Sequence, residues 1–197
     1  MSEPIDVRER RELCDLLLEV GPDAPTLCEG WTAADIAAHL VLREHFRRWN
    51  DRRMAAEKAK GLPAVVARLR AGAPLIPWRL PRIRDVMNGL EFFIHHEDVR
   101  RANGREPRTG ILDLEALAWR LTGYSARRLV RELGPYSLEL VRSDGVRRTF
   151  GTGPPALVHG PATELTLFLS GRRTAAKVTV DGDPGAVASL GRTTFTL

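Results

Sequence analysis

The stretch LEFFIHHEDVRR, residues 90–101, places two adjacent histidines and three carboxylates on a segment with the apolar spacing of a buried helix. At a turn of about 100° per residue, Glu91 and His95 lie one above the other on the flank of the apolar stripe, close to Asp98. His96 points to the far side of the helix, where we expect solvent. The predicted stripe consists of Ile83, Val86, Met87, Leu90, Phe93 and Ile94.

A glutamate and a histidine beside an apolar stripe need a partner, because burying either one unpaired is costly. A divalent metal would satisfy both, provided that the chain offers a third ligand. His39 is a candidate, since it lies on the same helical arc as Ile36 and Leu40 and therefore points inward. His39, Glu91 and His95 would form a set with one open coordination position, which is typical of a catalytic metal site.

Less specific interpretations of the same residues stay open. Glu91 and His95 could be a surface pair worth a few tenths of a kcal/mol, and His39 could be a core histidine bonded to Asp35. Asp98 either orients the ring of His95 or is a solvated carboxylate. The remaining histidines are predicted to lie at the surface and receive no role: His45, His96 and His159.

Outside this stretch, apolar periodicity predicts mainly helices up to about residue 134. The second helix begins like a capping box, with Thr32 at the N-cap and Asp35 three residues later. The segment 61–81 is predicted to be an irregular connection with at most one short helix, from Ala64 to Arg70. The long predicted helices are 5–20, Thr32 to beyond Trp49, Pro81 to about Ala102, and 112–133.

Residues 135–197 are predicted to form a ββαβαβ unit. Two alternating runs joined through Asp144-Gly145 predict a hairpin. The later elements are a helix in PATELTLFLSGRR, a strand in AAKVTVDG, a helix in DPGAVASL that Asp183 caps, and a strand in TFTL (194–197). Because segments with helix and strand periods do not mix, we expect two domains, 1–134 and 135–197.

The composition favours some partners over others. The chain carries 30 Lys and Arg against 25 Asp and Glu, a net charge of +5. The arginines are scattered next to acidic residues rather than clustered with aromatics, so nucleic-acid binding is not expected. No long apolar run predicts a membrane span and no secretory signal is evident, so we expect a cytoplasmic protein without a membrane partner. The oligomeric state stays open, a homodimer included.

Two motifs resemble a known family of metal-binding proteins. TLCEGWTAADIAAHL, residues 26–40, resembles the W-[ST]-x-x-[DE]-[LIV]-x-x-H-L signature of the DinB-like metal-binding bundles. LEFFIHHEDVRR resembles the E-x-x-x-H-x-x-D signature of the mycothiol-dependent maleylpyruvate isomerase branch, in a subgroup with the doubled HHEDVRR. The two motifs occur in the order and on the helices that the family uses.

The resemblance implies a fold and a ligand set. It implies an N-terminal DinB-like four-helix bundle, residues 1–134, and a small α/β C-terminal domain, residues 135–197, similar to sterol carrier proteins. FLSGRR resembles the L-x-G-R stretch of that domain. The resemblance also implies that His39, Glu91 and His95 hold the metal, for which zinc is the expected ion.

A zinc ion with an open position can deprotonate a thiol at neutral pH and so generate a nucleophile. Cys14 and Cys28 lack zinc-site spacing and are predicted to lie away from the metal, so the expected nucleophile is an external small thiol, as mycothiol is in the family. The expected partners are this thiol and an electrophilic small molecule.

Arg172 is the candidate catalytic cation for an anionic thiol or acidic substrate, with Arg173 as its neighbour. The alternative for this pair is a charge that complements the end of a helix. We therefore expect a thiol-dependent isomerase or S-transferase, and a non-catalytic module that binds a metal or small ligand is the competing interpretation.

Overall fold

A computed structural model describes residues 3–45, 50–72 and 88–193. The chain forms two compact units, Met1–Gly110 and Ile111–Leu197. The first unit is helical, and the second combines helices with a four-stranded sheet. Among the described residues, no helix is both long and apolar enough to cross a membrane.

The first unit is built around one apolar core shared by several helices. The described helices are α1 (Ile5–Val20), α2 (Ala33–Glu44), α3 (Asp51–Lys58), α4 (Leu62–Ala71) and α5 (Leu90–Ala102). Leu17 of α1, Ile36 of α2, Leu69 of α4 and Phe92 of α5 are fully buried in this core. The predicted first helix and the capping box at the start of the second are confirmed.

The second helix is shorter than its sequence pattern predicts, because α2 ends at Glu44 instead of continuing past Trp49. Asn50 is extended, and its side-chain oxygen accepts a hydrogen bond from the backbone N–H of Arg53 at 3.0 Å. An asparagine in this role favours the start of a new helix over continuation of the old one. Residues 46–49 lie outside the described part. The short helix predicted within 61–81 is confirmed as α4.

Helix α5 ends at Ala102, as predicted. The predicted start at Pro81 and three members of the apolar stripe, Ile83, Val86 and Met87, lie outside the described residues. The prediction that His96 faces solvent is wrong, because His96 is only 3% exposed. Helix α1 packs along α5 and covers this flank. A helical wheel drawn for one helix does not reveal a second helix that covers its polar side.

The flank of α5 that faces α1 holds a buried ionic network. Arg108 donates from Nε to Glu97 at 2.8 Å and from Nη2 to Glu9 at 2.8 Å. Burial raises the pKa of Glu9, but the nearby His96 ring and the hydrogen bonds from Arg108 outweigh it and leave the pKa below its usual value. Arg108 thereby fastens the segment after α5 to both α1 and α5.

The second unit confirms most of the predicted elements. The elements of this unit are α6 (Leu112–Val130), β1 (Ser137–Arg142), β2 (Arg147–Phe150), β3 (Pro155–Gly160), α7 (Ala162–Leu169), β4 (Thr179–Gly182) and α8 (Pro184–Arg192). Strands β1 and β2 form the predicted hairpin. Asp183 caps α8 by accepting a hydrogen bond from the backbone N–H of Ala186 at 2.9 Å. The predicted strand 194–197 lies outside the described residues.

Strand β3 was not predicted, although it is central in the sheet. The strand order is β2-β1-β3-β4, and β3 runs parallel to β1 and antiparallel to β4. Its sequence PALVHG is short, begins with a proline and follows a stretch rich in glycine and proline, which together obscure a strand signal. At Gly153, just before β3, φ is +93° and a Cβ would come within 2.0 Å of the Pro135 carbonyl oxygen, so only glycine fits.

The structure divides the chain earlier than the expected boundary at residue 134. Helix α6 packs against α7 and contacts β1 and β2, so it belongs to the second unit and the division falls after Gly110. The four-helix bundle expected for residues 1–134 stays a prediction. The change from helix period to strand period marks the end of α6, whereas the packing of its apolar face decides which unit it joins.

Replacing Arg108 with alanine should lower the free energy of unfolding by about 3–5 kcal/mol, because two buried carboxylates, Glu9 and Glu97, lose the cation that they share. Urea denaturation followed by circular dichroism measures this loss. Arg105→Ala is the matched control, since Arg105 pairs with Glu19 at the surface and its loss should cost under about 1 kcal/mol. Similar losses in the two variants would contradict the role given to Arg108.

Candidate metal centre

Helices α2 and α5 bring the three predicted ligands together. His39 Nε2 lies 3.3 Å from Glu91 Oε1, and His95 Nε2 lies 3.5 Å from the same oxygen. The rings of His39 and His95 are 5.2 Å apart and inclined at 70° to each other. One ligand atom from each residue lies within 4.8 Å of the other two.

The distances between these atoms fit a divalent metal. A charge-assisted hydrogen bond between a ring nitrogen and a carboxylate is about 2.7–2.9 Å long, and both contacts to Glu91 are longer. Around a tetrahedral zinc ion with bonds of about 2.0–2.1 Å, neighbouring ligand atoms are separated by about 3.3 Å. Two imidazoles and a carboxylate also form a donor set that zinc accepts. The residues therefore suit a metal in both spacing and chemistry.

The charge of Glu91 is compensated by three neighbours. Arg43 Nε lies 3.4 Å from Glu91 Oε1, beside the two histidines. Burial raises the pKa of Glu91, but hydrogen bonds with His39 and His95 and the charge of Arg43 outweigh it and hold the pKa well below its usual value. Glu91 is therefore ionised at neutral pH, as a metal ligand must be.

Asp98 orients the ring of His95. Asp98 Oδ2 accepts a hydrogen bond from His95 Nδ1 at 3.0 Å, and Asp98 is fully buried, which excludes the alternative of a solvated carboxylate. Burial lowers the pKa of His95, but hydrogen bonds with Asp98, Cys28 and Glu91 outweigh it and raise the pKa well above its usual value. A raised pKa favours a second proton on this ring, and a metal could bind His95 only after that proton had left.

His39 is held differently from His95. The alternative pairing with Asp35 is absent, because Asp35 accepts hydrogen bonds from Thr32 and pairs with Lys58 at 2.6 Å. The ring of His39 instead packs against Trp31, with 5.2 Å between the ring centres. Its Nδ1 is buried and has no hydrogen-bond partner among the described residues. Packing against Trp31 therefore contributes to the orientation of this ring.

The prediction that both cysteines lie away from the site is wrong for Cys28. Its Sγ lies 3.2 Å from Asp98 Oδ2, and the backbone N–H of Leu27 donates to the Asp98 carbonyl at 3.1 Å. The loop before α2 thus contacts α5. The position of Cys28 in the sequence, several residues before α2, does not reveal this contact. Cys14, in contrast, lies in the apolar core, where burial raises the pKa of its thiol to about 11.

Arg172 and Arg173 are both engaged within the second unit. Arg172 follows α7, is 7% exposed, and donates from Nη1 to the Ser170 carbonyl at 2.6 Å. Arg173 Nη1 donates to the carbonyls of Leu190 and Thr193, so Arg173 ties the end of α7 to the end of α8. The catalytic role of Arg172 stays a prediction.

Comparison with solved structures identifies the fold. The chain is similar to the crystal structure of the mycothiol-dependent maleylpyruvate isomerase, with a TM-score of 0.61, 16% sequence identity and 90% of each chain covered. The chain has the fold of this isomerase. A crystal structure of a mutant of the isomerase gives a TM-score of 0.61, 15% identity and the same coverage. No protein-family model and no curated protein matches the chain.

The isomerase fold agrees with the mixed helical and sheet architecture that the two sequence motifs implied, and that expectation is confirmed. At 16% identity the likeness concerns the fold. The fold does not determine the activity, because one fold supports many reactions.

The two adjacent histidines should respond differently to substitution. His95→Ala removes a ligand, so the metal content of the purified protein should fall to near zero. His96→Ala should keep the metal but lower the free energy of unfolding by about 1–3 kcal/mol, because Glu9 loses a buried neighbour. Elemental analysis and urea denaturation measure the two effects. Loss of the metal in both variants would contradict the assignment of His95 to the metal centre and of His96 to the flank of α5 that faces α1.

Proposed function

We propose that the protein is a metal-dependent enzyme in which an external small thiol attacks an electrophilic substrate, in an isomerisation or a thiol transfer. The observation that carries the proposal is the convergence of His39, Glu91 and His95 at metal-ligand spacing. Zinc is the proposed ion, since it favours sets of imidazole and carboxylate ligands. The thiol is proposed from the printed description of the isomerase as mycothiol-dependent.

The residues of the site have different roles. Glu91 supplies the negative charge that would attract a cation, and Asp98 holds the Nδ1 proton of His95, which leaves Nε2 available to bind a metal. Three protein ligands leave one coordination position open. A bound divalent ion would supply Lewis acidity that lowers the pKa of a thiol at that position.

Arg43 adds a positive charge at the edge of the site. Its side chain is 22% exposed and its Nε lies beside the Glu91 carboxylate. If a dication were bound at Glu91, Arg43 would add to a surplus of positive charge that favours an approaching anion. An anionic thiol or an acidic electrophile is therefore the proposed class of ligand.

The nucleophile is proposed to be external because the two cysteines are engaged elsewhere. Cys14 is fully buried in the apolar core. Cys28 donates to Asp98 and forms a second group with Asp98 and His95, which does not include His39 or Glu91. Neither thiol is therefore proposed as the attacking group.

Three further proposals complete the account. Arg172 is the proposed catalytic cation of the second unit, on the chemical argument that an anionic thiol or substrate needs a fixed positive charge. A cytoplasmic location and the absence of a nucleic-acid partner are proposed from the composition. A DinB-like bundle is the proposed frame of the metal centre.

Removing the metal should weaken the protein without unfolding it. A ligand that binds only the native state stabilises it by about 4 kcal/mol at a thousand times its dissociation constant, so chelation should lower the melting temperature by several degrees. Helical circular dichroism at room temperature should persist, because the first unit has its own apolar core. Complete unfolding would indicate a structural site, and an unchanged melting temperature would show that the three residues share no metal.

Thiol binding should be visible in the cobalt-substituted protein. Adding mycothiol or a small monothiol should produce a thiolate-to-cobalt charge-transfer band in the near-ultraviolet, because the open position accepts the sulfur. Cys28→Ser is the control, since it removes the internal thiol near the site and should leave the band unchanged. A spectrum that does not respond to thiol would contradict the proposed enzyme and favour a non-catalytic binding module.

A further inference from the structure

Cys28, Asp98 and His95 form a short chain of polar contacts that ends at the metal centre. Cys28 Sγ lies 3.2 Å from Asp98 Oδ2, and the same oxygen accepts from His95 Nδ1 at 3.0 Å. Asp98 has no exposed surface, His95 is buried, and Cys28 is partly buried. Two donors therefore converge on one oxygen of a carboxylate that is shielded from water.

The loop that carries Cys28 is fastened to α5 and folded on itself. The backbone N–H of Leu27 donates to the Asp98 carbonyl at 3.1 Å, so backbone and side chain of Asp98 both hold the loop. Within the loop, the hydroxyl of Thr26 is 2.8 Å from the Trp31 carbonyl, and the backbone N–H of Trp31 donates to the Cys28 carbonyl at 3.0 Å. The position of the thiol is thus set by several independent hydrogen bonds.

We propose that Cys28 is a positioning residue for the metal centre: its S–H donates to Asp98 Oδ2 and keeps this carboxylate turned toward His95 Nδ1, so that His95 Nε2 is directed at the metal. The inference rests on the proposed function, because it assumes that His39, Glu91 and His95 hold a metal. Partners that orient a metal-binding histidine through its other ring nitrogen commonly change metal affinity by about 10–100-fold when removed. Cys28 acts on this partner rather than on the metal.

A direct bond between Cys28 and the metal is the competing arrangement, and the geometry disfavours it. The sulfur groups with His95 and Asp98 within 4.8 Å, whereas the His39, Glu91 and His95 set does not include it. The Nδ1 of His95 faces Asp98, and its Nε2 is the nitrogen near Glu91. Cys28 therefore contacts the site from the side of His95 opposite to the proposed metal.

The test compares zinc affinity in the full-length protein and three variants. Zinc dissociation constants are measured by competition with a chromophoric chelator. Cys28→Ala removes the donor and should weaken zinc binding about tenfold or more, whereas Cys28→Ser retains a donor and should stay within about threefold of the wild type. Cys14→Ala is the matched control, since it removes a buried thiol from the core and should lower stability without changing zinc affinity.

A second readout follows the proton on His95 directly. In the zinc-loaded wild type, the Nδ1 proton of His95 should appear as a downfield NMR resonance that exchanges slowly with water, because it is buried and bonded to Asp98. In Cys28→Ala the resonance should move upfield and exchange faster, while Cys28→Ser should restore it. A merely structural role for Cys28 would not move this signal.

The possible failures are distinguishable. If the wild type binds no zinc, the proposed function fails and the role of Cys28 falls with it. If the wild type binds zinc and Cys28→Ala matches it in affinity and in the Nδ1 resonance, only the positioning role is overturned. Equal loss of zinc affinity in Cys28→Ala and Cys28→Ser also overturns the positioning role. So does a thiolate-to-cobalt band that the cobalt-substituted protein shows without added thiol and that Cys28→Ala lacks, because the sulfur would then bind the metal itself.

Discussion

The half-buried negative charge of Glu91 is the constraint on which the site depends. Its side chain is 29% exposed, so water compensates the charge only in part. Arg43 and His39 from α2 and His95 from α5 supply the rest. Because these partners come from two helices, the charge of Glu91 links α2 to α5. A divalent ion would strengthen the same connection, since it would add two positive charges between the ligands of the two helices.

Glu91 is also one end of a polar network that reaches into the helical core. Arg43 donates to Asn88 at 2.9 Å, and Asn88 donates to Glu44 at 3.3 Å. Glu44 in turn accepts two hydrogen bonds from Arg10 of α1, at 2.6 and 2.5 Å. Buried networks of this kind limit the motion of their members when each polar group has a partner. The carboxylate of Glu91 is therefore oriented by the fold itself, before any ligand binds.

The sequence predicted the parts of the site that depend on the geometry of a single helix. Glu91 and His95 were found because side chains four residues apart lie on one face, and His39 was found from the apolar arc of α2. His96 and Cys28 were misplaced because their surroundings come from other segments, α1 in one case and the loop before α2 in the other. The same limit applies to the boundary after Gly110, which is decided by the packing of α6. Periodicity describes an element, whereas the covering of its faces is a property of the tertiary fold.

Anomalous diffraction at the zinc absorption edge, on crystals grown with zinc, tests the central claim most directly. We expect one strong peak at about 2.0–2.1 Å from His39 Nε2, a carboxylate oxygen of Glu91 and His95 Nε2, with Asp98 still bonded to His95 Nδ1. A peak beside Cys28 and Asp98 instead, or no peak near these three residues, would contradict it.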